Sequence, residues 1–446
     1  MRGRRLLSFL GSLAALAAAA PPLAGAPPHW AQWRGPDGLG IAKDPAVPLE
    51  WSATKNVVWS AEIPGRGHSS PVVWGDRIFL TTAIEGDVVA GAKPVKHLME
   101  GQDFQHPDGV GADRKQTLAV LALDAKTGKM LWQKTAWEGT PYDTRHKRGS
   151  FASPTPVTDG TLVYAYFGSE GLYVYAFDGT LKWSWKSGGI ASFGVGVGTS
   201  PVLYDKLVIL QCDEDNGEKS FIVGLDRKSG KEAWRVARNI EVSWATPILV
   251  ASGGRHELVT AGNQAIIGYD PATGRELWRI KGLESNAVPS PVAGDDVVVL
   301  SAGYPAKVAL AMRPGGTGDA SDRVLWRYDK GTAYVPSPLL LGPYFYLTND
   351  TGILTCLDAA TGKVMYEGGR PPVPATFTAS LVGYGDRILQ TSEDGDTFVV
   401  KAGPAHEILR TNSVGEPVYA SLAFANGTIY IRGDKHIFAI REPATK

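Results

Sequence analysis

Cysteine is nearly absent: only Cys212 and Cys356 occur in 446 residues. Two thiols exclude a disulfide-stapled scaffold, a four-cysteine metal knuckle and a Cys-x-x-Cys-His haem attachment. An excess of either charge is also missing, with 45 Lys plus Arg against 45 Asp plus Glu. That balance argues against nucleic acid or an anionic membrane surface as a bulk partner. Beyond the N-terminus no apolar run approaches the ~18 residues that a transmembrane segment needs. What is abundant is punctuation, 53 Gly and 30 Pro, as expected of many short strands joined by tight turns.

The first 26 residues read as a signal peptide. Arg2, Arg4 and Arg5 make a basic start, Leu6 to Ala20 an apolar centre, and Ala24-Gly25-Ala26 a small-residue cleavage signature. The pair Arg4-Arg5 fits an ordinary signal and also a twin-arginine one. The expected location is therefore periplasmic or extracellular. Residues 27–50 form an N-terminal extension, and a repeat occupies residues 51–446.

One phrase recurs. Asp124-Ala125-Lys126-Thr127-Gly128-Lys129 precedes Trp132, and the pattern returns at Asp226 to Gly230 with Trp234 and at Asp270 to Gly274 with Trp278. Asp358 to Gly362 leads to Tyr366, a shortened copy at Asp178-Gly179 leads to Trp183, and degenerate copies lead to Trp326 and Leu409. The Asp bonds the backbone of a tight turn and the Gly takes a positive φ, so each phrase is a hairpin followed by a Trp-bearing arm. A second phrase opens each unit: Ser70-Pro71, Thr155-Pro156, Ser200-Pro201, Thr246-Pro247, Ser290-Pro291 and Ser337-Pro338, with worn copies at Ser380 and Ser421.

Both counts give eight units, most roughly 40–50 residues apart, the length of a four-stranded propeller blade. The chain begins with a Trp-type strand around Trp59 and ends with a unit that lacks one. The expected fold is all-β: a single eight-bladed β-propeller of four-stranded antiparallel blades, the last closed by the N-terminal strand. Cys212 then falls in blade three and Cys356 in blade six, too far apart to pair.

The Asp-x-x-Thr-Gly-Lys-x-x-Trp phrase resembles the repeat of pyrroloquinoline quinone (PQQ) dehydrogenases and of related non-catalytic propellers, including BamB-type outer-membrane assembly factors. The resemblance covers residues 51–441, and Trp30-Ala31-Gln32-Trp33-Arg34-Gly35-Pro36 also resembles the opening of exported propellers of this kind. It implies that Trp132, Trp183, Trp234, Trp278 and Trp326 dock blade against blade. The dehydrogenases' adjacent cysteine pair is missing here, and their carboxylate set finds no match. The lipid-anchoring Cys of the BamB-type factors is missing too.

Irregularity clusters on one rim, above blades one to three. An insertion at residues 84–116 carries His97, Asp103, His106, Asp108 and Asp113, and the next inter-blade loop carries Arg145-His146-Lys147-Arg148. A Gly-rich loop spans Gly188 to Gly198, and Asp213-Glu214-Asp215 follows. His97 and His106 lack compact metal-ligand spacing, so a solvated polar loop is expected. Arg145 to Arg148 are expected to pair with acids of the insertion, and Asp213 to Asp215 to form an acidic turn. His68, Trp244, Tyr334 and Tyr419 stand near the channel mouth, where they either plug it or hold a flat ligand.

These features lead to an exported, non-catalytic scaffold, with no cofactor, that binds a protein or small ligand at the rim of blades one to three. Its candidate contact residues are His68, His97, His106, Arg145, His146, Arg148, Trp244, Tyr334 and Tyr419. Two alternatives stand beside it: a PQQ-dependent alcohol or sugar dehydrogenase using PQQ with calcium at a divergent site, and a BamB-like assembly factor.

Overall fold

The computed structural model describes residues 29–442 except residues 44–46, Glu100 and Asp295. The signal segment lies outside the described residues. Eight antiparallel sheets follow one another in chain order. Blade one is built from Val72–Trp74, Arg77–Val88, Arg114–Asp124 and Met130–Gly139. In blade eight, Ala423–Ala425, Thr428–Arg432 and His436–Ile440 are completed on the outside by Val57–Glu62 from the start of the chain. The expected eight-bladed all-β propeller and its N-terminal closure are both present.

Burial follows from this architecture. The second and third strands of a blade lie between two neighbouring blades, so they are covered on both faces and read as continuous apolar runs. Leu118 to Leu123 is wholly buried, whereas the outer strand Val57–Glu62 alternates between partly buried and exposed.

Two devices lock the blades together. In the first, the indole of one blade lies against the turn glycine of the next. A side chain at Gly128 would come 2.5 Å from the Trp59 ring, at Gly230 2.5 Å from Trp183, at Gly274 2.4 Å from Trp234 and at Gly362 2.7 Å from Trp326. The turn itself is held by its aspartate: Asp124 Oδ1 accepts from the Lys126 and Thr127 amides at 3.0 and 2.9 Å and from the Thr127 hydroxyl at 2.9 Å. Indole N–H groups then donate to carbonyls at those turns, Trp59 to Ala125, Trp132 to Phe177, Trp183 to Arg227 and Trp326 to Ala359. Trp278 departs from the pattern. The next blade has an irregular connection where the turn would stand, and Trp278 donates instead to Glu257 of its own blade at 2.8 Å.

The second device is a ring of hydroxyls around the channel. The Ser70 amide donates to Thr155 Oγ1, Thr155 to Ser200, Ser200 to Thr246, Thr246 to Ser290, Ser290 to Ser337, Ser337 to Ser380 and Ser380 to Ser421, at 2.9–3.2 Å. Seven of the eight seams are joined in this way. Only the seam between blades eight and one lacks the bond, and there the Ser70 hydroxyl is buried without a partner.

Residues 29–42 cross the interior of the ring. Trp30 bridges to Val73 of blade one, and the Trp33 indole donates to Ser290 of blade five at 3.0 Å. Ile41–Ala42 then pairs in parallel with Val382–Tyr384 of blade seven. Cys212 and Cys356 are separate, buried thiols, each pushed up to about 12, chiefly by burial.

If the glycine is required for docking, Gly230→Ala combines a positive-φ penalty with a clash into Trp183. It should lower stability by about 2–4 kcal/mol in denaturant unfolding. Gly385→Ala, also at positive φ but with its nearest atom 4.0 Å away, should lose only about 1 kcal/mol. Equal losses at the two sites would remove the docking argument.

Candidate interaction rim and channel mouth

The middle strands of blade one overrun the blade, to Val88 on one side and from Arg114 on the other. The inserted residues 89–113 therefore rise from a paired stem, a narrower segment than 84–116. They contain a small hairpin, His97–Met99 with Gln102–Phe104, and Gly109–Val110 pairs with Arg145–His146 of the next loop.

His97 is not a solvated loop residue. It is 3% exposed and lies between two carboxylates, with Nε2 3.0 Å from Asp143 Oδ1 and Nδ1 2.7 Å from Asp215 Oδ2. Asp143 also accepts from the amide and hydroxyl of Ser192 at 2.8 and 3.1 Å, and Asp215 from the Phe193 amide at 2.5 Å. One imidazolium thus ties the insertion to the loop after blade one, the Gly-rich loop and the loop of blade three. Burial alone would lower the His97 pKa, but hydrogen bonds to Asp143 and Asp215 and their negative charge outweigh it and raise it to about 9.

Asp213 and Asp215 do not form the expected acidic turn. Asp213 is buried against Arg238 at 2.7 Å, and Arg238 also donates to Thr260 and Tyr269. Removing one member of such a pair leaves a buried charge uncompensated.

The basic run is paired as expected in part. His146 and Lys147 meet Asp108 of the insertion at 3.3 and 2.9 Å, and Arg145 lies 3.6 Å from Glu85. Arg148 instead reaches Glu393 of blade seven, because the loop turns over the channel mouth. His106 is partly buried, takes the Asp108 amide on Nδ1 at 3.1 Å and lies edge-on to His146.

The four residues expected at the mouth do not make one aromatic wall. His68 and Tyr419 stack at 4.8 Å. Trp244 donates to the Gly196 carbonyl at 2.7 Å, and Tyr334 packs on Tyr304 at 5.4 Å. A crevice beside Trp244, lined by Tyr166, Cys212 and Asp213, is too narrow to admit a small molecule. The strap at residues 29–42 runs between blades one, five and seven. Its contacts are scattered over distant blades, and only the burial-prone Trp30 and Trp33 could have hinted at it.

Among the described residues no three His, Cys, Asp or Glu side chains are gathered for a metal.

Repeat, blade docking and ring closure together define an eight-bladed β-propeller, and its repeat is similar to that of the PQQ-like propellers. A family model described as outer membrane protein assembly factor BamB matches residues 218–368. The BamB of Burkholderia pseudomallei is 25% identical over 354 residues, covering 66% of this chain and 86% of that protein. Among solved structures, BamB from Moraxella catarrhalis superposes with a TM-score of 0.54 at 14% identity, over 81% of this chain and 99% of its own. A quinohemoprotein alcohol dehydrogenase from Comamonas testosteroni gives 0.62 at 12% identity, over 94% and 82%. At such identities these structures speak for the fold alone. No helix among the described residues is long and apolar enough to cross a membrane.

The His97 clamp has a defined pH dependence. Its pKa is higher folded than unfolded, so its contribution is complete below about pH 6.5 and declines as pH rises towards 9. Amide exchange across residues 89–113 should therefore accelerate between pH 6.5 and 9.5 relative to the blade strands, after correction for intrinsic rates. In His97→Gln the acceleration should already be present at pH 6. A pH-independent difference between the two proteins would show that the clamp is not ionic.

Proposed function

We propose that the chain is an exported, non-catalytic propeller that binds protein partners in outer-membrane protein assembly, with the rim above blades one to three as its contact surface. The carrying observation is the match of both a family model and a curated relative to BamB. The rim supports the reading physically. Val88, Val89, Leu98, Met99, Val110 and Tyr142 are exposed there, and together they supply apolar contact area beside the basic loop. The His97 clamp holds this surface in one arrangement before a partner arrives, which lowers the ordering cost of binding. Gln102–Phe104 pairs with no second strand among the described residues, which would leave its outer edge to an extended partner segment.

Mature protein tagged at its C-terminus and expressed in its own cell envelope should co-purify with the outer-membrane β-barrel assembly machinery. The double variant Leu98→Asp, Met99→Asp changes only exposed side chains. It should keep its unfolding midpoint and reduce that recovery roughly tenfold, a loss of about 1.4 kcal/mol. Undiminished recovery by the variant would move the contact off this rim. Wild-type protein that recovers none of the assembly machinery would defeat the functional reading itself.

A further inference from the structure

We propose that the seam between blades eight and one, at the floor of the channel mouth, is an oxyanion-binding site formed by Arg66, His68 and Arg432. Buried side-chain atoms without a hydrogen-bond partner are few among the described residues, and four of the thirteen fall at this seam: Arg66 Nε, His68 Nε2, Ser70 Oγ and Arg432 Nε. It is also the seam at which the hydroxyl ring stays open.

Arg432 is 2% exposed. Its Nη1 donates to the Ser69 carbonyl at 3.1 Å and to the Ser69 hydroxyl at 2.6 Å, which fixes the guanidinium plane. Gly67 permits this placement: a side chain there would lie 2.2 Å from Arg432 Nη2. The backbone of His68 and Ser69 is pinned by the Ala152 carbonyl at 3.1 Å, and the His68 ring is steadied by its stack on Tyr419. The site is thus built on rigid strands and one held loop.

Its charge is positive and incompletely answered. Burial first, then the charges of Arg66, Arg432, Arg145 and Arg148, push His68 down to about 3, so its imidazole is neutral at physiological pH. Glu85 and Glu393 are engaged by Arg145 and Arg148. Asp434 acts on Arg432 through space but does not reach ion-pair distance, and Arg66 has no carboxylate partner among the described residues. A buried guanidinium without a counter-charge is costly, and guanidinium groups select oxyanions with which they form charge-assisted hydrogen bonds. Nε of Arg66, Nε of Arg432 and an Nε2–H of neutral His68 are three donors suited to a carboxylate or phosphate group.

The experiment titrates the full mature chain with inorganic phosphate and, separately, with acetate, at ionic strength held constant with chloride. Heat and the His68 Nε2 resonance are both recorded. The expected result is saturable one-to-one binding of one of the two anions with a shift of that resonance, and the anion that binds identifies the source. Arg66→Gln, and independently His68→Phe, which retains a ring against Tyr419, should each weaken binding roughly tenfold or more. Absence of saturable binding by both anions overturns the proposal. So does binding that both variants retain at wild-type strength.

Discussion

The spacing of most blades depends on an indole lying against a turn glycine of the neighbouring blade, as at Gly128, Gly230, Gly274 and Gly362. A single four-stranded blade cannot bury its two apolar faces alone; it needs a neighbour on each side. The Asp-bonded turn presents a residue without a side chain at the point where the neighbouring Trp arrives, as at Gly128 under Trp59 and Gly230 under Trp183. The hydroxyl ring performs the corresponding task at the axis, joining Ser70 to Thr155 and onward around the channel. One device sets the outer spacing of the blades and the other their inner spacing. Together they define a ring that closes at eight when Val57–Glu62 joins the last blade.

On that ring, departure from the repeat is where individuality resides. Trp278 turns to Glu257 because the following blade has an irregular connection in place of the turn. The overrunning strands of blade one lift the insertion, and His97 between Asp143 and Asp215 converts that excursion into a fixed surface. The same rim carries the exposed Leu98, Met99, Val110 and Tyr142. A scaffold role needs such rigidity, since a partner then meets a surface already ordered.

The fold was almost wholly legible, because its determinants are local and repeated. Asp124, Gly128 and Trp132 mark a turn and a docking arm by spacing alone, and eight openings can be counted directly. The rim was legible only as a location. The burial of His97 depends on Asp143 and Asp215, which come from separate loops, and nothing in the spacing of these three residues announces their meeting. The same holds for Arg148 and Glu393, brought together over the channel mouth, and for Arg34, whose guanidinium donates to the Pro338 carbonyl at 2.7 Å. Closure of a ring brings sequence-distant residues into contact, and pattern reading along the chain registers only the closure.

In the function proposed above, the rim above blades one to three is the partner-binding face. Site-specific photocrosslinking in the native envelope tests it most directly, with the reactive group placed at Met99 or at Tyr304, an exposed residue above blade five. Adducts to the outer-membrane assembly machinery are expected from Met99 and none from Tyr304. Adducts from Tyr304 with none from Met99 would contradict it.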